Sequence, residues 1–228
     1  MSPARPHDRQ DAPAGFDVLF CGERLSLLGA RALWWAAQST LVVSDLHLGK
    51  SERVARCTGV SLPPYETRDT LDRLETLIAA QRPARIVCLG DSFDDDHAAR
   101  NLPLSDLDRL RGMMVGRHWV WVEGNHDPSP PNLGGIALAE FALGPLTLRH
   151  IADPAATGEI SGHYHPKASL RGQFRPAFLL DRTRLILPAF GTYTGGLRST
   201  DKALTGLLQS DALAVLTGPR PLPCPMPR

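Results

Sequence analysis

Five short strand-like segments in this chain, most of them apolar, end abruptly in residues that can bind a metal ion. Leu41–Ser44 runs into Asp45, and Ile86–Leu89 into Gly90-Asp91. His118–Val122 leads to Gly124-Asn125-His126, Leu146–His150 closes on its own histidine, and Glu159–Ser161 leads to Gly162-His163. Apolar runs this short, bounded by turn residues, read as buried strands. In open α/β sheets, ligands bind beyond the carboxyl ends of the strands. The pattern therefore constrains the chain to a sheet architecture whose strand ends deliver carboxylates, imidazoles and one amide.

The chemistry sits in five segments: Ser44-Asp45-Leu46-His47, Gly90-Asp91-Ser92-Phe93-Asp94, Gly124-Asn125-His126-Asp127, Leu148-Arg149-His150 and Gly162-His163-Tyr164-His165. Asp45 and His47 are two apart, so in an extended segment both would face one cation, and His163 and His165 repeat the spacing. Glycines at 90, 124 and 162 suit sharp turns and close backbone approach. Oxygen and imidazole donors without thiolate suit Mn, Fe or Zn in place of a structural Zn–Cys site. One tetrahedral site needs about four ligands. The larger set here, with one bridging carboxylate, fits two ions roughly 3.5–4 Å apart.

The remaining chain reads as one domain. Its 228 residues suffice for one sizeable core and are few for two. Residues 1–15 are polar and Pro-rich and read as disordered, residues 16–217 as the domain, and residues 218–228 as a loose Pro-rich tail. Phe16–Phe20 and Arg24–Leu28 predict a hairpin, and Tyr65–Gln81 and Leu104–Val115 predict helices. Ile136–Leu143, Phe178–Leu180, Leu185–Leu187 and Ala212–Leu216 predict further strands. Trp34 and Trp35 would face opposite sides of a strand, with at least one in the core. The net charge of +1, from 25 basic and 24 acidic residues, argues against a strongly basic chromatin-type protein or an acidic tail. The predominance of Arg over Lys reads as GC-rich codon bias, with phosphate recognition as the alternative. No apolar run is long enough for a membrane span, and the N-terminus lacks an apolar signal core. Four scattered cysteines, Cys21, Cys57, Cys88 and Cys224, read as free thiols of a reducing compartment, which predicts a cytoplasmic location.

The five segments, in this order, resemble the calcineurin-like metallophosphoesterase superfamily. The resemblance covers about half the chain, from Asp45 to His165. It implies a four-layer αββα sandwich of two mixed β-sheets flanked by helices. It also implies two divalent ions, Mn first, with Fe or Zn as alternatives. Asp45, His47 and His165 resemble ligands of one ion, and Asn125, His150 and His163 those of the other, with Asp91 as the bridge. His126 resembles the non-ligand histidine that protonates the leaving oxygen after attack by a metal-bridging hydroxide. Asp94 stands where the family has the carboxylate that orients this histidine. Asp95 stands where the family often has Arg.

Val43–Lys50, Leu62–Thr67, Cys88–Phe93 and Gly191–Gly196 further resemble the bacterial ligase-associated DNA damage response endonuclease group. This implies a nuclease or phosphodiesterase of DNA repair, acting on single-stranded or damaged DNA beside a DNA ligase or helicase. A small-molecule phosphatase, a nucleotide pyrophosphatase and a metal-bound scaffold for a ligase or helicase are the alternatives. Two basic clusters flank the motifs: Lys50, Arg53, Arg56 and Lys167, Arg171, Arg175. Lys50, Arg53 and Lys167 are the expected substrate contacts, since a nucleic-acid backbone calls for such charges. Aromatic residues are only 6%, so no long base-stacking platform is expected.

Overall fold

The structure, a computed structural model, describes residues 13–127 and 133–228. The expectation for residues 1–15 therefore falls almost wholly outside it. In the first sheet, β1 (Gly15–Phe20), β2 (Glu23–Leu28), β3 (Ala32–Trp35) and β4 (Thr40–Val43) meander antiparallel. Then β5 (Arg85–Leu89), β6 (His118–Val122) and β7 (Ile136–Leu138) continue parallel to β4. Parallel neighbours need crossovers. Here they carry helices α1 (Lys50–Thr58), α2 (Glu66–Gln81), α3 (Asp96–Asn101) and α4 (Leu104–Met114).

The second sheet holds β8 (Glu140–Leu143), β9 (Leu146–Arg149), β10 (Glu159–Ser161), β11 (Lys167–Leu170), β12 (Gln173–Leu180), β13 (Arg184–Ile186), β14 (Leu213–Leu216) and β15 (Leu222–Pro225). Its spatial order is β15-β14-β12-β13-β10-β9-β8, with β11 hairpinned onto β12. Helix α5 (Lys202–Leu207) covers its outer face.

Strand alternation sorts side chains into layers. Val42, Val87, Val120 and Trp35 face the second sheet and meet Leu148, Ile160, Phe178 and Leu185. Leu41, Val43, Ile86 and Cys88 face the helices, where Leu71, Leu74, Leu77 and Ile78 of α2 pack on them. Each such buried aliphatic side chain contributes roughly 1.5–3 kcal/mol, which fixes α2 against the sheet. Trp35 is fully buried between the sheets while Trp34 packs, half-buried, on the helix side. This is the four-layer αββα sandwich of two mixed sheets.

Two expectations are corrected. The run Ile136–Leu143 is two strands, not one: β7 ends the first sheet, β8 starts the second, and the chain changes sheets at Ala139. The C-terminal tail is not loose, because β15 pairs antiparallel with β14 and Met226 is buried. Prolines lack a donor, so a strand with Pro223 and Pro225 is tolerated only at a sheet edge, which is where it lies. Helix α1 escaped sequence reading because it is polar. It is held by Glu66, which accepts from the Ser51 amide at 3.0 Å.

Candidate metal centre

The parallel strands β4, β5 and β6 of one sheet and β9 and β10 of the other end on the same side of the molecule, and their C-terminal loops converge. Asp45, His47, Asp91, His163 and His165 all take left-handed backbone angles, φ 46° to 68°. Each costs on the order of 1–3 kcal/mol, and such strain concentrates at functional sites. The extended segment expected for Asp45 and His47 is therefore replaced by left-handed turns that bring both side chains inward. The glycines permit the crowding. A Cβ at Gly90 would lie 2.5 Å from the His150 ring, and one at Gly162 only 1.7 Å from Ser44 Oγ.

Three groups of donors result among the described residues: Asp45, His47 and His165; Asp91, His150 and His163; and His47 with Asp94 and His126. In the first, His165 Nε2 lies 3.1 Å from Asp45 Oδ1 and 3.3 Å from His47 Nε2. In the second, His150 Nε2 lies 3.0 Å from Asn125 Oδ1 and 3.3 Å from His163 Nδ1. Asp91 Oδ2 stands between them, 3.8 Å from His47 Nε2 and 3.4 Å from His150 Nε2. All seven expected residues are thus brought together, and Asp91 lies between the first two clusters.

The donor set fits cations. His150 Nδ1 lies 2.8 Å from the Leu89 carbonyl, which can only accept, so Nδ1 carries the hydrogen. Its Nε2 then faces two acceptor oxygens, of Asn125 and Asp91. Such converging acceptors repel unless a positive charge lies among them. The electrostatics agree. Burial alone would raise the Asp91 carboxyl, but His150, the His126 amide and His47 hold it down to about 2. Burial would lower the His150 imidazole, but Asp91 and Asp45 push it up to about 9. The pocket is a sink for positive charge.

His126 stands beside the first cluster, its ring edge-on to His47 with centroids 5.2 Å apart. Its amide donates to Asp91 Oδ1 at 2.9 Å, and its Nδ1 lies 2.9 Å from the main-chain carbonyl of Asp94. This corrects the expectation for Asp94. Its carbonyl, not its carboxylate, orients His126. The carboxylate is fully buried and serves His47, with Oδ1 2.8 Å from His47 Nδ1, off the line of a straight hydrogen bond. Lys50 and Arg53 each approach the same carboxylate to 3.1 Å. Burial would raise the Asp94 carboxyl, but His47 and Lys50 hold it well below the usual carboxylate range.

The expected substrate contacts separate accordingly. Lys50 and Arg53 are already paired with Asp94, and Arg56 with Asp95 and Glu52. Lys167 lies elsewhere, on β11. Asp95 caps α3 by accepting from the Ala98 amide.

Asp127 was missed. It is buried and accepts from the Ser92 and Phe93 amides at 2.8 and 3.1 Å, tying the Asn125-His126 loop to the Asp91 loop. Burial, and then the charge of Asp91, push its carboxyl up to about 7. Its place beside Asn125-His126 was the one available signal, and it does not separate a tie from an ordinary turn.

A family model described as calcineurin-like phosphoesterase matches residues 39–189, which contain every one of these residues. The chain belongs to the calcineurin-like phosphoesterase family. The enzyme is a metal-dependent phosphoesterase, a hydrolase. It is similar to the crystal structure of Pseudomonas putida nuclease MPE, at 30% identity and a TM-score of 0.75, over 91% of this chain and 100% of that one. Yfce, a phosphoesterase from E. coli, aligns at 15% identity and a TM-score of 0.39, over 82% of this chain and 99% of that one. No curated protein matches the chain. Among the described residues no helix is long and apolar enough to cross a membrane.

Proposed function

We propose that the enzyme is a nuclease or phosphodiesterase of DNA repair. The observation that carries the reading is the convergence of six residues with oxygen and nitrogen donors around Asp91, with His126 beside them as a group outside the ligand set. Asp45, His47 and His165 would hold one divalent ion and Asn125, His150 and His163 the other, with Asp91 between. Oxygen and imidazole donors without thiolate favour Mn. When bound, the two ions supply an acidified water and neutralise charge on the phosphate.

The chain's own groups do the rest. The Asp94 carbonyl takes the Nδ1 hydrogen of His126, so the ring is held with Nε2 free. As the imidazolium, His126 carries at Nε2 the proton that a leaving oxygen needs. General acid catalysis of this kind contributes roughly 10²–10⁴-fold. Asp94 steadies His47 through its other face. Asp127 and the Gly162 turn keep the loops in place.

The 30% identity to a nuclease supports the diester reading for this chain. Single-stranded or damaged DNA is the substrate we infer, in the cytoplasm, with a ligase or helicase as partner. A Mn-dependent comparison of single-stranded DNA, bis-p-nitrophenyl phosphate and p-nitrophenyl phosphate tests it. The reading requires that both diesters be cut. Turnover confined to the monoester would replace it with a small-molecule phosphatase.

A further inference from the structure

We propose that a groove beside the metal centre, lined by Arg31, Arg73, Lys167, Arg175 and Phe174, binds a single strand of nucleic acid. The inference deepens the nuclease reading and rests on it for its biological sense, but it stands on different residues.

The groove encloses about 800 Å³ between the β2–β3 turn, the start of α2, the β11–β12 hairpin, the segment after Gly191 and the segment after β14. Its floor is backbone. The Gly218 amide donates to the Gly29 carbonyl, and a Cβ at Gly29 would lie 1.9 Å from the Gly218 oxygen. Two walls are continuous with the first ligand cluster. Lys167 follows His165 by two residues, and Thr192–Thr194 follow Gly191, whose amide donates to the Asp45 carbonyl at 3.0 Å.

The charge is unbalanced. The cluster around Lys50, Arg53 and Arg56 is neutralised by Asp94, Asp95 and Glu52. The groove has four cations and one carboxylate, Asp69, which Arg73 already holds at 3.2 Å. Among the described residues, Arg31, Lys167 and Arg175 have no carboxylate partner. Arg31 is half-buried, and its guanidinium pKa is lowered, first by burial and then by the charge of Arg73. Arg73 is anchored, donating to the Phe190 carbonyl at 2.7 Å and the Thr192 hydroxyl at 3.0 Å. Two guanidinium groups that repel in a concave site are relieved by an anion, and several anions in a row describe a phosphodiester backbone.

Exposed aromatic rings select a single strand. Phe174 is 50% exposed with the Arg198 guanidinium stacked over it at 4.7 Å. Tyr193, also in the groove, has its ring 5.9 Å from that of Tyr65, which is exposed. Exposed rings of this kind stack on unpaired bases, which a duplex does not offer.

The test uses the metal-loaded chain and a labelled oligothymidylate of about 20 nucleotides, longer than one binding site, read by fluorescence anisotropy in the cold with gels confirming an intact strand. The double variant Arg31→Gln, Arg175→Gln should bind at least tenfold more weakly. Its log–log salt slope should fall by about 1.4, since each single-strand phosphate contact contributes about 0.7. Phe174→Ala should weaken binding with the slope unchanged. Arg182→Gln, which removes a guanidinium paired with Asp211 away from the groove, should alter neither. Circular dichroism confirms that each variant is folded. Unchanged affinity and slope in the double variant would overturn the proposal, as would duplex DNA bound more tightly than the single strand through the same residues. Cleavage is read separately. A strand that is bound through the groove but never cut refutes the nuclease reading alone. A strand cut equally well by the double variant, with unchanged binding, refutes the groove alone.

Discussion

Replacing Asp94 by Asn separates two accounts of the site. The sequence expects its carboxylate to serve His126, so the variant would keep its metal and lose proton transfer. The structure places that carboxylate 2.8 Å from His47 Nδ1 and 3.1 Å from both Lys50 and Arg53. The His126 ring is held by the main-chain carbonyl, which Asn retains. The neutral amide no longer sets a negative charge against that imidazole or balances two cations. Loss of such an outer partner typically costs 10–100-fold in metal affinity, or about 1.4–2.8 kcal/mol. Lys50 and Arg53 are 21% and 36% exposed, so water screens their loss and the fold should survive. Calorimetric titration with Mn should show one of the two sites weakened by that factor and the other unchanged. Two unaltered Mn affinities with slower turnover would refute the argument and return Asp94 to His126.

Three further outcomes are expected. Asp91→Asn should weaken both metal sites by elemental analysis, whereas His126→Ala should keep two ions per chain and slow turnover by roughly 10²–10⁴-fold; loss of an ion from the latter would make His126 a ligand. Gly162→Ala would set a Cβ 1.7 Å from Ser44 Oγ and 2.7 Å from Asp45 Oδ2. Overpacking of this kind costs about 1–3 kcal/mol, and at ~2–4 °C per kcal/mol the melting temperature should fall measurably; an unchanged value would mean that the loop yields freely. Ellman's reagent should label the exposed Cys21 and Cys57 in the native enzyme but reach buried Cys88, whose thiol burial pushes up, only after unfolding. Prompt native labelling of Cys88 would show that the sheet opens.

Much of this molecule is written in local pattern. The apolar runs around Val42, Val87 and Val120 could only be buried strands, and the residues that end them could only be gathered where those strands end. Donor type is a property of single residues, so the seven expected donors and His126 could be named from the sequence, and the structure gathers them at one place. So was the spacing of Leu71, Leu74, Leu77 and Ile78 that docks α2. What the sequence could not carry is direction and partnership. The turn of Asp94 toward His47 and away from His126 depends on left-handed backbone at His47 and Asp91, which no propensity of Asp or His announces. Ile136–Leu143 read as one strand because its period does not change at Ala139, where two sheets compete for the chain. Lys50 and Lys167 look alike in sequence. Only the fold sets one against the buried Asp94 and leaves the other facing a groove, because a charge is neutralised by what lies across space, not by what lies beside it in the chain.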